Sequence, residues 1–524
     1  MTRPLTRARS LAIACLAALA LLAACSAGTT PASTSRDSPS THPASPTPTP
    51  TPHPEDDERG KPGATAFSLE LPGTDTDVAG YTNPSSGTPG TPVRLYVSTP
   101  EAEVALTAYR IGAYAGSRAR EVWHGTIPGQ VQPAAQIVGD TRTVVAPWTE
   151  STTLDTTQWP PGFYLIELKV PSGAVRMVPY VVRSTSMEGR VVLVSPTTTW
   201  QAYNLWGGRS LYAGPGGFGD RSYAVSYDRP YENSGAGAYL WADLPFVLAA
   251  EATGVKLAYL TDVDIEADPA ALTGAAGAVS IGHDEYWTAD RRDRWDAARD
   301  AGTNELITAA NAMYWRVRLE DGPTGTGPHR LVTAYKQASD PQAAADPRQA
   351  TTLFKLDPGA NPPEKSIGLR YECYPASVAF TVTDPSWWGY AGTGVTAGTQ
   401  FPHLMGIEAD RYYPLATTPH PMRLLANQEY TCNGVPTSAQ AVEYAAASGA
   451  VVINLNAMRW SCALTPGCTD FAFHADQAVS DFATTVTANI LQEFAKGPVA
   501  QRHPVDDTIA TLQVPAERTV YPDP

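Results

Sequence analysis

The chain is 524 residues long, 43% hydrophobic and 17% charged, with a formal net charge of −15. That length exceeds one ordinary core and the composition is that of a globular protein, so two domains are the natural expectation. The acidic balance excludes a basic nucleic-acid footprint and disfavours an anionic surface as partner.

Arg3, Arg7 and Arg9 precede a short apolar run from Leu11 to Ala24. It is too short and wrongly flanked for a membrane-spanning helix, and it suits an export signal. The run ends Leu22-Ala23-Ala24-Cys25, which resembles the bacterial lipobox, so residues 1–24 read as a lipoprotein signal peptide and Cys25 as the lipidated residue. Residues 25–66 are then rich in Thr, Ser and Pro, including a Thr-Pro alternation around 47–54. Too few apolar groups are present to offset the ordering entropy, so this stretch is expected to be a disordered tether at the cell membrane's outer surface.

From 67 to 186 short alternating segments follow one another: VRLYVST at 93–99, VALTAYRI at 104–111, TVVAPW at 143–148, FYLIEL at 163–168 and MVPYVVR at 177–183. Period two with Gly, Pro, Ser and Thr punctuation predicts a β-sandwich, Ig-like in size. From 187 to 524 the texture becomes strand then helix. VVLVSP (191–196), VKLAYLT (255–261), AGAVSIG (276–282) and ELITAAN (305–311) read as strands, and YLWADLPFVLAAEATG (239–254) and the segment opening at Thr288 as helices. AQAVEYAAASG (439–449) and the segment 474–497 read as further helices around the strand AVVINLN. Such alternation predicts a doubly wound, mostly parallel α/β sheet. The Pro- and Gly-rich stretch between Leu319 and His420 shows less pattern and is expected to be insertions or a lid.

Of six cysteines, Cys15 leaves with the signal and Cys25 carries the lipid. Cys373, Cys432, Cys462 and Cys468 remain, an even count that favours disulfides after export. The Cys462 to Cys468 loop is the easiest to close, which leaves Cys373 with Cys432 as one of three connectivities. No CxxC spacing supports a zinc ribbon or a redox motif, GxSxG is absent, and no Cys stands at a nucleophile elbow.

Ligands of open α/β sheets bind where loops leave the strands' C-terminal ends. Three polar loops stand there: TTTWQAYNLWGGRSLY (197–212), HDEYW (283–287) and NAMYWRVR (311–318). These blocks, with VSYDRPY at 225–231, LVTAYKQASDP at 331–341 and GIEAD at 406–410, resemble the domain named for the large (beta) subunit of N,N-dimethylformamidase. YRIGAYAGSRAR and QWPPGFY extend the likeness into the β-sandwich segment. The amide hydrolase of that family holds a mononuclear iron with two tyrosines and one glutamate. Carried over block by block, the resemblance implies Tyr203, Tyr212 and Glu285 as ligands of a ferric ion, with His283, Asn311, Lys336 and Glu408 around the pocket.

The residues themselves agree in part. His283 and Glu285 lie two apart in an extended segment and so face the same way. A phenol, whose pKa is about 10, becomes a good ligand only when a strong positive charge removes its proton. The resemblance implies hydrolysis of a carbon–nitrogen amide bond, with Glu408 or His283 handling protons and Asn311 or Lys336 facing the oxyanion. The family's enzyme also has a further N-terminal domain and a small partner subunit, neither encoded here, so its substrate is not carried over. The rival reading is a non-catalytic surface lipoprotein whose aromatic loops contact glycan, to which twelve Trp and 24 Tyr are well suited. The anchor is directly testable: Cys25→Ser is expected to move the protein from the membrane fraction to the soluble one, and retention after a salt wash would refute lipid attachment.

Overall fold

The computed structural model describes residues 58–336, 339–356 and 361–514. The expected signal peptide, Cys25 and most of the expected tether lie outside these residues. The expected tether ran to residue 66, but the chain is already engaged at Glu58, which is buried and receives hydrogen bonds from Arg120 Nε at 2.8 Å and Tyr114 Oη at 2.9 Å.

Two sheets face each other across the first region. One joins Ala79–Asn83, Val93–Ser98 and Thr152–Leu154; the other orders Ser86–Gly87, Val175–Val182, Gly162–Lys169, Glu103–Tyr114 and Ser117–Pro128. Val93, Leu95 and Val97 alternate with more exposed neighbours and meet Leu106, Ile166, Leu168 and Tyr180 in one core, as period-two patterning requires. Every residue of Val175–Val182 is buried, because Met177 and Val181 pack outward into the second region's core.

The second region is built on a seven-stranded sheet. Leu257–Thr261, Val191–Ser195, Gly277–Ser280, Asn304–Ile307 and Val451–Asn454 run parallel in that order. Alternate residues of the Val191–Ser195 strand enter different cores. Val191 and Leu193 join helices Leu244–Ala252 and Gln477–Phe494, and Val192 and Val194 join Ile265 and Trp295 of helices Asp262–Ala267 and Ala289–Asp300. The last of the four, Gln477–Phe494, presents Val479, Phe482, Ala483, Val486, Ile490 and Phe494 at helical spacing, and the side chain of Asp476 caps it on the Val479 amide at 2.9 Å.

The molecule as a whole is mostly sheet, in several sheets, with few helices. This class is the coarser part of the expectation, of which the doubly wound and Ig-like arrangements are the finer form. Three elements depart from the expectation for identifiable reasons. AQAVEYA is strand, not helix: Val435–Ala445 lies between Met422–Cys432 and Val451–Asn454, antiparallel to both, and lateral pairing overrides the helix preference of its alanines. The expected loop 197–212 opens with a short helix, Thr197–Tyr203. The weakly patterned stretch contains a long antiparallel hairpin, Arg370–Thr381 with Gln400–Arg411, and gives the strand Leu331–Thr333 to a four-stranded sheet with Ala224–Ser226, Trp315–Glu320 and Tyr286–Thr288. Two cysteine pairs stand at disulfide distance, Cys373 with Cys432 and Cys462 with Cys468. Among the described residues no helix is long and apolar enough to cross a membrane.

Candidate active site

Asp262, at the end of a parallel strand, accepts hydrogen bonds from Thr197 Oγ1 at 2.6 Å and from the Thr198 amide at 2.8 Å, and so fixes the first turn of helix Thr197–Tyr203. The next two threonines reach across to the HDEYW loop. Thr198 Oγ1 donates to the Tyr286 carbonyl at 2.7 Å, while Thr199 Oγ1 accepts from the Glu285 amide at 3.1 Å. The far side of that loop is held by the third block, since Tyr314 and Trp315 amides donate to the Glu285 carbonyl at 3.1 and 3.0 Å. Glu285 therefore has its backbone fixed from both sides before its side chain makes any contact.

The loop's entry and exit are equally constrained. Gly282 takes φ +60°, and a Cβ there would stand 2.8 Å from Ala242 Cβ, so glycine serves both the turn and the close approach. Asp284 is buried and paired with Arg291, whose Nη1 lies 3.0 Å from its Oδ1 and whose guanidinium carbon sits 3.4 Å from the centroid of Trp287. Buried Arg229, from VSYDRPY, donates to the carbonyls of Asn204 at 2.9 Å, Trp206 at 3.0 Å and Arg209 at 2.9 Å. It thereby satisfies a helix end and the turn that returns the chain to Tyr212.

These constraints bring Tyr203, Tyr212 and Glu285 to one point. The Tyr203 hydroxyl donates to Glu285 Oε2 at 2.7 Å, the Tyr212 hydroxyl to Glu285 Oε1 at 2.8 Å, and the two hydroxyls lie 3.1 Å apart. The rings stack with centroids 4.7 Å apart. His283 Nε2 completes the cluster, 3.3 Å from the Tyr203 hydroxyl, 3.4 Å from Glu285 Oε2 and 3.8 Å from Glu408 Oε2. Asn311, at φ +61°, donates its amide to Asp410 at 2.8 Å and stands beside Glu408 on the wall of the same cavity.

Tyr203 as a residue is 41% exposed, but its hydroxyl, like that of Tyr212, is desolvated within the cluster, and this with the nearby Glu285 charge pushes both phenols well above their usual range, so without a cation they are neutral donors. Burial alone would raise Glu285, but the His283 hydrogen bond, its charge and that of Lys336 bring it below the ordinary carboxylate range. Burial would lower His283, and the hydrogen bond to Glu285 with the Glu408 charge raises it to about 9. Burial, with the Glu285 charge, lifts Glu408 to about 8. Among the described residues His283 Nδ1, Asn311 Oδ1, Glu408 Oε2 and Asp410 Oδ2 are buried without a hydrogen-bond partner, a concentration of unsatisfied polar atoms that folding alone does not favour.

Tyr203, Tyr212, Glu285, His283, Asn311 and Glu408 all line one cavity of about 660 Å³. Lys336 does not line it. Its ammonium is buried 3.3 Å from the centroid of Tyr212, with Trp315 at 5.0 Å and Tyr286 at 5.3 Å, so aromatic packing draws it behind the ring instead of into the open space. Burial lowers it to about 7. Sequence reasoning assigned no role to Asp262, Arg229 and Asp410, whose work is to hold backbone. It also passed over Tyr371 and Tyr374, which the long hairpin delivers to the cavity from the stretch with least pattern.

The buried pair beneath the loop generates a prediction. Asp284→Ala leaves Arg291 only the more distant Asp262 Oδ2, at 3.8 Å, and is expected to cost about 3–5 kcal/mol in a denaturant melt, whereas Asp284→Leu with Arg291→Met is expected to recover part of that loss. Equal losses in the single and double variants would contradict the pair's role.

No curated protein matches the chain. Among solved structures, a cycloisomaltooligosaccharide glucanotransferase of Paenibacillus sp. complexed with cycloisomaltoheptaose is similar at 12% identity over 46% of this chain and 29% of that one. Its TM-score of 0.14 carries no argument, and the chain spans under a third of that protein. A family description does match, over residues 105–470, a span that takes in every block from the sandwich strands to the site loops and the long hairpin. The chain belongs to the N,N-dimethylformamidase beta subunit-like, C-terminal family.

Proposed function

We propose that the protein is an exported, lipid-anchored hydrolase of carbon–nitrogen amide bonds that holds one ferric ion through Tyr203, Tyr212 and Glu285. The observation that carries this reading is the meeting of two phenol hydroxyls and a carboxylate within 2.7–3.1 Å of one another. The donor set is entirely hard oxygen, which fits a small, highly charged cation, and the protons that the phenols now give to Glu285 are those such a cation displaces. A ferric ion there would supply a concentrated positive charge that polarises an amide carbonyl and lowers the pKa of water. The family membership supports amide hydrolysis as the reaction class.

The chain's own groups divide the remaining work. Glu408, raised to about 8 and 3.8 Å from His283, is mostly protonated at neutral pH and is suited to give its proton to the departing nitrogen and to recover one from water. His283 holds Glu285 and Glu408 in register. Asn311, a polar neutral side chain on the cavity wall beside Glu408, is suited to the carbonyl oxygen as charge develops. Lys336 acts through the Tyr212 ring, where its charge favours the deprotonated phenol. The two pairs of cysteines at disulfide distance agree with an oxidising compartment. The five parallel strands with helices against both faces are read as a doubly wound sheet, which leaves the site loops at the strands' C-terminal ends.

Phenolate ligation has an optical signature. The purified protein is expected to be coloured by charge transfer from oxygen to iron, with about one iron per chain. Glu285→Ala is expected to abolish metal binding and Tyr203→Phe to bleach or shift the band while the protein still folds, and amide hydrolysis is expected to fall in both. A colourless protein that stays colourless after anaerobic iron loading and reoxidation would contradict the reading and favour a non-catalytic binder.

A further inference from the structure

The cavity is much larger than the chemistry at its floor needs. At about 660 Å³ it falls within the range of roughly 300–1,000 Å³ that encloses drug-sized ligands, and a simple dialkylformamide would occupy only a corner of it. The additional space has a consistent character. Tyr231, Trp241, Tyr314, Tyr371 and Tyr374 line it, and three separate parts of the chain bring them there. Two of these rings are open to solvent, Trp241 at 57% and Tyr374 at 44%.

Trp241 owes its exposure to local geometry. It stands on a π-helical turn, Tyr239–Asp243, that opens helix Leu244–Ala252, and Tyr239, Ala242 and Asp243 of that turn are buried. Widened turns of this kind cost helical hydrogen bonding and are commonly found at functional sites. Tyr374 lies on the facing source of the lining, the long hairpin that also carries Glu408. Large exposed rings on two of the three contributing segments are costly unless a ligand covers them.

Charge narrows the class of ligand further. Among the described residues no lysine or arginine lines the cavity, and the segment from Tyr231 to Ala242 adds one charged group, Glu232, beside Asn233 and Ser234. A carboxylate or phosphate on the substituent, held away from the ligand cluster, would meet Glu232 with no lysine or arginine of the described lining to answer it. Resting on the amide-hydrolase reading above, we infer that the substrate is an amide whose substituent is a bulky, uncharged ring, stacked on Trp241 and Tyr374 while its amide reaches Glu285 and Glu408. The flat apolar face required is common to an aryl group and to an N-acylated sugar. The sugar's hydroxyls have partners in Glu232, Asn233 and Ser234, which an aryl group would leave unused.

The test compares four probes on the metal-loaded protein: dimethylformamide, an acetanilide, an N-acetylated hexosamine oligomer, and a carboxylate-bearing anilide. Affinity is read by titration calorimetry, which does not require turnover, and kcat/KM is read in parallel. At least one uncharged ring-bearing amide is expected to bind about tenfold or more tightly than dimethylformamide, and the carboxylate analogue is expected to lose that gain. Trp241→Ala is expected to weaken ring binding about fivefold and to lower the ratio of kcat/KM for the ring-bearing over the small amide, and Tyr374→Ala to do the same independently. Preference for the oligomer or for the anilide identifies which source of the ring is used. Equal affinity for small and ring-bearing amides, or ring binding unchanged in both variants, would overturn the inference. Ring binding that depends on Trp241 with no hydrolysis of any amide would uphold the ring site while refuting the hydrolase reading.

Discussion

A buried carboxylate that accepts hydrogen bonds from two phenols at once is the constraint around which this molecule is arranged. Glu285 cannot be left charged in the interior without partners, and they come from one other place in the chain and from its own loop: Tyr203 and Tyr212 from the segment 197–212, His283 from beside it. Each of those side chains depends on backbone held by further buried polar groups. Asp262 ties down the helix that ends in Tyr203, Arg229 gathers the carbonyls of the turn to Tyr212, and the Asp284 pair with Arg291 lies directly under the loop. Buried charge of this kind contributes little net stability and a great deal of positional definition, which is what a ligand set demands.

The parallel sheet explains how loops so distant in sequence converge. Val191–Ser195 and Gly277–Ser280 are neighbours in register, so the segments that follow them, 197–212 and 283–287, leave the sheet side by side. Asn304–Ile307 pairs with Gly277–Ser280 in turn and delivers Asn311 and the amides that hold Glu285. The hairpin from Arg370 to Arg411 then closes the cavity with Glu408 and with rings that have no part in the ligand cluster.

Much of this was legible in the sequence because local pattern and tertiary role coincide there. The strands at 191–195 and 257–261 are unbroken apolar runs, Thr288 announces the helix it caps, and the HDEYW and QAYN blocks contain the residues that meet. Where role and pattern part, reading failed. Val435–Ala445 has helix-favouring alanines but sits between two strands that determine its state. Lys336 was placed in the pocket by position in its block, whereas its long side chain is drawn against Tyr212 by packing that no spacing rule encodes. Tyr374 and Trp241 carry no motif at all, because a ring exposed at a cavity mouth needs neither periodicity nor a neighbour in sequence.

The account stands or falls on what Tyr203, Tyr212 and Glu285 hold. Anomalous diffraction from crystals of the protein as purified, recorded on either side of the iron absorption edge, addresses this without reliance on any substrate. The account predicts one strong iron peak within bonding distance of both phenol oxygens and the Glu285 carboxylate. Crystals with no iron peak there, with the three oxygens still hydrogen-bonded to one another, would contradict it.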